Sequence, residues 1–315
     1  MAKTIHIAIP SDDGYWRYAA VTAASAIRSC SMPVCIHLID GGLTDVSWRL
    51  FCRIVGTACV RHRFDISRFP QWHGSGITWS RLWLPEILEG LDWVVSSDAD
   101  VMFRGDVASL WALRDDAVDI LPSQDAPLPG QSFNDSAVSW YGLHGLEFRK
   151  PEEYFCAGLS LVNLCRLRAS NWNVRRDDFM SRFSGETMPN ADQCVLNYLL
   201  QDRKRLLPRQ WGAFSGDEND DIDWCRPGAV HFVEDAPWKR RKATHLASDL
   251  VEEWWAIAKE IGVGTPEPSF HGCRNWLDWA WRRMAFLFIK YNQWMLALHP
   301  KFKLHLRGTK GIKNK

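Results

Sequence analysis

"TIHIAIPSDDGYW", residues 4–16, sets a short apolar run directly against two aspartates, a glycine and two aromatic residues. Residues 4–10 read as a buried strand, and the following "YWRYAAVTAASAIRSC" (15–30) places apolar residues at helical spacing. The rhythm continues outward. "VCIHLID" (34–40) reads as a second strand, "TDVSWRLFCRIV" (44–55) as a second helix and "CVRHRFDI" (59–66) as a third strand. A helix around 78–88 then leads into the strand "DWVVSS" (92–97). This alternation predicts an α/β fold: a mostly parallel, Rossmann-like sheet with helices on both faces. Sheets of that kind bind ligands beyond the carboxyl ends of their strands. Two acidic clusters fall at such ends, "SDDGY" (11–15) after the first strand and "DAD" (98–100) after the fourth.

Further along, "GLSLVNL" (158–164) is strand-like, "DQCVLNYLL" (192–200) helical, "SGDENDDID" (215–223) a polar loop and "AVHFV" (229–233) a strand. A Gly/Pro-rich break, "GVGTPEPSFHG" (262–272), separates this body from the C-terminal end. The composition, 46% hydrophobic and 24% charged over 315 residues, is that of a folded protein with a substantial core. Nine scattered cysteines without a C-x-x-C pair exclude a zinc ribbon or thioredoxin-type site and read as the reduced thiols of a cytosolic protein. The first residues lack the apolar stretch of a signal peptide.

Charge is unevenly distributed. The first 278 residues hold 29 basic against 37 acidic side chains, whereas nine basic and no acidic residues follow Asp278. Residues 276–298, "WLDWAWRRMAFLFIKYNQWMLAL", have helical apolar spacing over about 35 Å. Arg282, Arg283 and Lys290 within it argue against spanning a bilayer. Two readings stand: a helix packed on the body, or an in-plane helix and polybasic end docked on an anionic membrane, each cation contributing about 1 kcal/mol. The acidic body makes nucleic acid an unsuitable partner.

Asp98 and Asp100 in "VVSSDADVMFRGD" (94–106) pose the chemical question, because adjacent carboxylates repel unless something positive lies between them. They cap a turn and pair with Arg104, or act as nucleophile and general acid of a haloacid-dehalogenase-type phosphatase, or clamp a divalent cation on a nucleotide diphosphate. The clamp needs a third ligand, for which His231 in "AVHFVEDAPW" is a candidate.

The segment "DWVVSSDADVMFRGDVASLW" resembles the D-x-D region of glycosyltransferase family 8, retaining enzymes of the GT-A fold. Five more segments resemble the family in the same order: "IPSDDGYWRYAAVTAAS", "ITWSRLWLPEIL", "YFCAGLSLVNLCRLR", "ADQCVLNYLL" and "HFVEDAPW". "CIHLIDGGLTD" is similar to its second strand. The resemblance implies a catalytic GT-A domain over residues 1–240, a connecting helix and linker over 241–272 and a membrane-associating basic tail over 273–315. It implies Mn²⁺ (or Mg²⁺) on Asp98, Asp100 and His231, and a UDP-hexose donor held by Asp12, Asp13, Tyr15, Arg81, Ala99, Cys156, Trp238 and Lys239. Asp125, Asp192 and Gln193 would line the donor-sugar pocket around the reacting carbon. The acceptor would be a saccharide, such as a lipopolysaccharide-type glycolipid, met at the cytoplasmic face of the membrane by a peripheral protein. A catalytically weak nucleotide-sugar-binding protein is the alternative. The departures bearing on it are Cys156 for the family's usual Asn, Gly14 for a frequent Asn, Glu234 for Gly, Ala236 for Lys and a His-to-Pro spacing shorter by one residue.

Overall fold

The computed structural model describes residues 4–56, 59–70, 75–125, 133–214, 227–233, 236–238 and 247–264. The chain divides into two units, Met1–Thr265 and Pro266–Lys315; the second, with the whole basic tail, lies outside the described residues.

The first half forms β1 (Ile5–Ser11), α1 (Trp16–Ser29), β2 (Val34–Asp40), α2 (Asp45–Val55), β3 (Cys59–Arg63), α3 (Leu84–Ile87), β4 (Trp93–Ser97), β5 (Val101–Phe103) and α4 (Val107–Trp111). The second half forms β6 (Ile120–Gln124), α5 (Phe133–Leu143), β7 (Phe155–Asn163), α6 (Leu164–Ala169), α7 (Trp172–Arg182), α8 (Ala191–Leu200), β8 (Trp211–Phe214), β9 (Ala229–His231) and α9 (Ala247–Glu260). The helix expected around 78–88 is instead a 3-10 helix, Ile77–Trp83, running into the single turn of α3. Pro85 explains the seam: it has no N–H to give Arg81 and is tolerated only in the first turn of a new helix.

Six strands form the main sheet in the order β3-β2-β1-β4-β7-β6. β1 pairs in parallel with β2 and β4, and β2 with β3, while β7 runs antiparallel to both β4 and β6. The chain winds outward from β1 to β3, then returns to start β4 on the other flank of β1. That reversal makes the carboxyl ends of β1 and β4 the switch point, where a crevice opens. Ile5, Ile7, Ile9, Ile36 and Leu38 are buried against α1 and α2. Ala8, Ile39 and Val94 pack on the opposite face with the 3-10 helix, α7 and α8.

A second sheet, β5-β9-β8, lies directly after the D-x-D segment. β5 and β9 pair antiparallel with Val101 opposite His231, so residue 231 is carried to the position beside Asp100. The stretch expected to connect body and tail contains α9. Its Leu250, Trp254, Ile257 and Ala258 are buried against Val21 and Ala24 of α1 and against Val230. Among the described residues no helix is long and apolar enough to cross a membrane.

Candidate active site

Asp98 follows β4 directly, and its backbone N–H donates to Gly158 O of β7 at 2.7 Å, so the strand pairing fixes where the carboxylate starts. Thr22 Oγ1 of α1 donates to Ala99 O at 2.9 Å, and Phe232 N–H donates to Asp100 O at 3.0 Å. Three separate elements thus pin the backbone of 98–100. The result is convergence: single ligand atoms of Asp98, Asp100 and His231 lie within 4.8 Å of one another. His231 Nε2 is 3.1 Å from Asp100 Oδ1 and 3.8 Å from Asp98 Oδ2. Its other nitrogen, Nδ1, faces Cys156 Sγ at 3.5 Å. With Nδ1 engaged by the thiol, Nε2 is the nitrogen presented to the carboxylates. Two hard oxygen donors and one imidazole form a set that Mn²⁺ or Mg²⁺ suits. The residues fit a divalent cation.

Electrostatics agree with that geometry. Burial opposes charging His231, but the Asp100 carboxylate outweighs it and raises the imidazole well above its ordinary pKa. Burial also pushes Asp100 up, yet His231 holds it below the usual carboxylate range. Asp98 goes the other way, raised by burial and by Asp100 despite the pull of Arg81. A dication placed among the three would relieve the repulsion between the two carboxylates.

Arg81 is the second organising residue. Only 9% exposed, it gives Nη1 to Asp192 Oδ2 at 2.5 Å and Nη2 to Asp98 Oδ1. Burial disfavours its charge, but Asp192 and Asp98 more than compensate, and its pKa lies above normal. One guanidinium therefore wires the D-x-D segment to the first turn of α8. Asp192 reaches it through a backbone kink: Ala191 adopts φ +45°, a left-handed conformation that costs a non-glycine residue about 1 kcal/mol or more. Pairing of the aspartates with Arg104, one of the three readings of the segment, is not what forms. Arg104 Nε instead meets Glu253 Oε2 of α9 at 2.9 Å, across 149 residues of chain.

α8 is stitched to β7 by side-chain amides. Gln193 Oε1 accepts from Ala157 N–H at 3.0 Å, while Asn197 accepts from Phe155 N–H and donates to Phe155 O, both at 2.9 Å. At the other wall, Asp12 Oδ1 accepts from Gly14 and Tyr15 N–H groups at 3.0 and 3.1 Å, closing the turn that enters α1. Asp13 is exposed and accepts from Thr44 N–H at 2.9 Å, tying this turn to the start of α2. Tyr15 lies edge-on to Tyr18 and Trp238, and Trp238 stacks flat on Tyr18 with ring centroids 3.6 Å apart. Asp125 stands half-buried just past β6. Lys239, with Glu234 and Asp235, lies outside the described residues.

Gly158 had no place among the residues picked from the sequence. A Cβ there would fall 2.1 Å from Cε1 of His231, so only glycine leaves room for the ring. The signal was present as the glycine in the apolar run "CAGLSL".

The sequence from residue 6 to 241 matches the model of glycosyl transferase family 8. The chain belongs to that family. No curated protein matches the sequence. Solved structures share the fold: the galactosyltransferase LgtC, crystallised with donor and acceptor sugar analogues, superposes with a TM-score of 0.65 at 19% identity over 85% of this chain and 99% of its own. The bifunctional glycosyltransferase WbbM gives 0.66 at 17% identity, and this chain spans about half of it, 52%, while covering 85% of itself. GlyE of Streptococcus pneumoniae TIGR4 gives 0.61 at 18% identity over 85% of this chain and 66% of that one. The chain has the GT-A architecture of that family, and membership of the family displaces the phosphatase reading of its D-x-D segment.

Burial raises Asp125 to about 7. A carboxyl raised on folding keeps its proton after the unfolded chain has lost it, so stability declines as pH rises from about 3.8 to 7. In EDTA, the Tm of Asp125→Asn relative to the parent should therefore climb between pH 5 and pH 8. Over that window the underlying difference is at most about 2.7 kcal/mol, two units at ~1.36 kcal/mol each. A constant gap would place Asp125 in a solvated environment.

Proposed function

We propose that this glycosyltransferase moves a hexose, galactose or glucose, from a UDP-sugar to a saccharide acceptor with Mn²⁺ as its cation. The acceptor we favour is a growing glycolipid of the lipopolysaccharide-core kind. The observation that carries the reading is the convergence of Asp98, Asp100 and His231 at the switch point, with Arg81 linking them to Asp192. A divalent cation on that triad would neutralise the charge developing on the departing diphosphate.

The chain's own residues would do the rest. Tyr15 offers an aromatic face at the mouth of the β1 turn, suited to a uracil ring, and Trp238 buttresses it. Asp12 spends Oδ1 on the turn, so accepting from the uracil imide would fall to Oδ2. Arg81, already charged and buried, would orient the donor through Asp98 and Asp192 and not by roaming in solvent. Gln193 is a neutral amide whose carbonyl oxygen already accepts from Ala157. That makes it a poor nucleophile, and Asp192 is committed to Arg81. The reading is therefore front-face attack with retention: the acceptor hydroxyl bonds to the anomeric carbon as the C–O bond to UDP breaks, and its proton passes to the leaving phosphate oxygen. Cys156, standing where relatives usually have Asn, would act by holding His231 Nδ1.

The test is UDP release from UDP-galactose and UDP-glucose with Mn²⁺ or EDTA. Asp100→Ala should lower metal-dependent release by about 10²–10³-fold, the scale for losing a stabiliser of transition-state charge. Binding of UDP–Mn²⁺ by the parent protein without release to any acceptor would favour the nucleotide-sugar-binding alternative. Metal-independent release at an equal rate would remove the cation from the reading. The membrane association of residues 273–315 and the cytoplasmic, peripheral location remain proposals of the same kind, tested by sedimentation with anionic vesicles.

A further inference from the structure

Away from the switch point, the opposite half of the sheet carries a second group of metal-ligating side chains. In the parallel register of β1 and β2, His6 lies opposite Cys35 and Ala8 opposite His37; in that of β2 and β3, Ile39 lies opposite His62. Paired residues of a parallel ladder point to the same face, and residues two apart on one strand share it. His6, Cys35, His37 and His62 therefore project together, on the face away from the Ile5, Ile7 and Ile36 layer. Ligand atoms of His6, Cys35 and His37 lie within 4.8 Å of one another. His6 Nδ1 is 2.9 Å from His37 Nε2, and His37 Nδ1 is 2.9 Å from His62 Nε2. His37 is buried, whereas His6 and Cys35 are half-exposed. A cleft of about 410 Å³ lined by His37, His62 and residues 86–91 opens beside the group.

Each of those imidazole–imidazole contacts needs one ring nitrogen with a hydrogen and one with a free lone pair. If His37 Nδ1–H donates to His62, His37 Nε2 keeps its lone pair and aims it at His6. This is the arrangement in which a partner outside the coordination sphere fixes the tautomer of a metal-binding histidine. We propose that His6, Cys35 and His37 form a second cation site selective for a soft or borderline transition metal, Zn²⁺ above all, with His62 as the residue that positions His37. Two imidazoles and a thiolate reject Mg²⁺ and Mn²⁺, which prefer the oxygens of the Asp98–Asp100–His231 site. Bond lengths of about 2.0–2.1 Å to nitrogen and 2.3 Å to sulfur set the ligand spacings of a tetrahedral site at roughly 3.3–3.6 Å. The His6–His37 contact of 2.9 Å would open slightly and Cys35 would be drawn in to form that geometry. On binding, the Cys35 thiol releases its proton to solvent, His6 moves its hydrogen from Nδ1 to Nε2, and water takes the fourth position. The site would staple β1 to β2 and stabilise the sheet that carries the β1 turn.

The experiment uses Asp100→Ala full-length protein, in which the oxygen-rich site is disabled, stripped with chelator and titrated with Co²⁺ as a spectroscopic stand-in for Zn²⁺. One equivalent should bind with a thiolate-to-cobalt charge-transfer band, displaced by Zn²⁺. Adding Cys35→Ser should abolish the band and weaken Zn²⁺ binding at least about 100-fold. Adding His62→Ala should keep the band and weaken binding about 10–100-fold. Zn²⁺ should raise Tm in Asp100→Ala and leave the Cys35→Ser form unchanged. A band that survives Cys35→Ser but vanishes with Cys156→Ser would assign the metal to the His231 neighbourhood and overturn the proposal. Absence of any thiolate band, with circular dichroism showing a folded protein, would overturn it equally.

Discussion

Arg81→Met should lower the Tm of the metal-free protein by about 5–8 °C. Removing one member of a buried ion-pair network costs about 3–5 kcal/mol, because the charges left behind have neither water nor partner. Here two carboxylates lose their shared guanidinium: Asp192, which is 3% exposed, and Asp98. At about 2.1 cal/mol/K of unfolding entropy per residue, each kcal/mol corresponds to roughly 1.5 °C for a chain of this size. The cost should be non-additive. Asp192→Asn in the Arg81→Met background removes one stranded charge and should recover a good part of the loss, although Asp192→Asn alone is destabilising. Differential scanning calorimetry of the four proteins checks the sign of the coupling. Simple additivity would mean that Arg81 and Asp192 do not share a network. Mn²⁺ should restore Arg81→Met partially, since it supplies positive charge to Asp98 but none to Asp192.

That network also marks the limit of what sequence alone could deliver. Both acidic clusters were readable because each follows a short apolar strand, and strand ends are where α/β sheets bind ligands. His231 could be named a candidate, but its delivery depends on β5 and β9, three residues each, too short to carry a periodic signal. The direction of β7 was equally hidden: all nine of its residues are buried, and a strand covered on both faces reads alike parallel or antiparallel. Partner choice failed where distance in sequence misled. Arg104 is near the aspartates in the chain and pairs with Glu253, whereas Arg81 joins residues 17 and 111 positions away. Asp12 and Asp13 read as ligand-binding residues from the family resemblance. In the structure Asp12 closes the turn into α1 and Asp13 ties that turn to α2.

Gly158→Ala should separate site geometry from global stability more sharply than loss of any ligand. The added methyl would meet His231 at Cε1 (2.1 Å), Nδ1 (2.6 Å) and Nε2 (2.8 Å), all atoms of one ring held on two sides by Cys156 and Asp100. Gly158 is not among the positive-φ glycines, so the backbone itself tolerates alanine. The ring must move, or β7 must. Overpacking of this kind costs about 1–3 kcal/mol. The larger effect should be functional: with Nε2 swung from the carboxylates, affinity for Mn²⁺ should fall by about 10–100-fold, the range for misorienting a metal ligand. Metal-dependent UDP release should fall at least as far. The double variant Gly158→Ala/His231→Ala discriminates cause from collapse. Deleting the ring removes the clash, so Tm should return toward that of His231→Ala, while Mn²⁺ binding and UDP release stay lost. Isothermal titration with Mn²⁺ alongside thermal melts reads both. If Gly158→Ala instead binds Mn²⁺ as the parent does, β7 has yielded in place of the ring or His231 is not the third ligand, and His231→Ala decides: retained Mn²⁺ binding there would leave the cation to Asp98 and Asp100 with water.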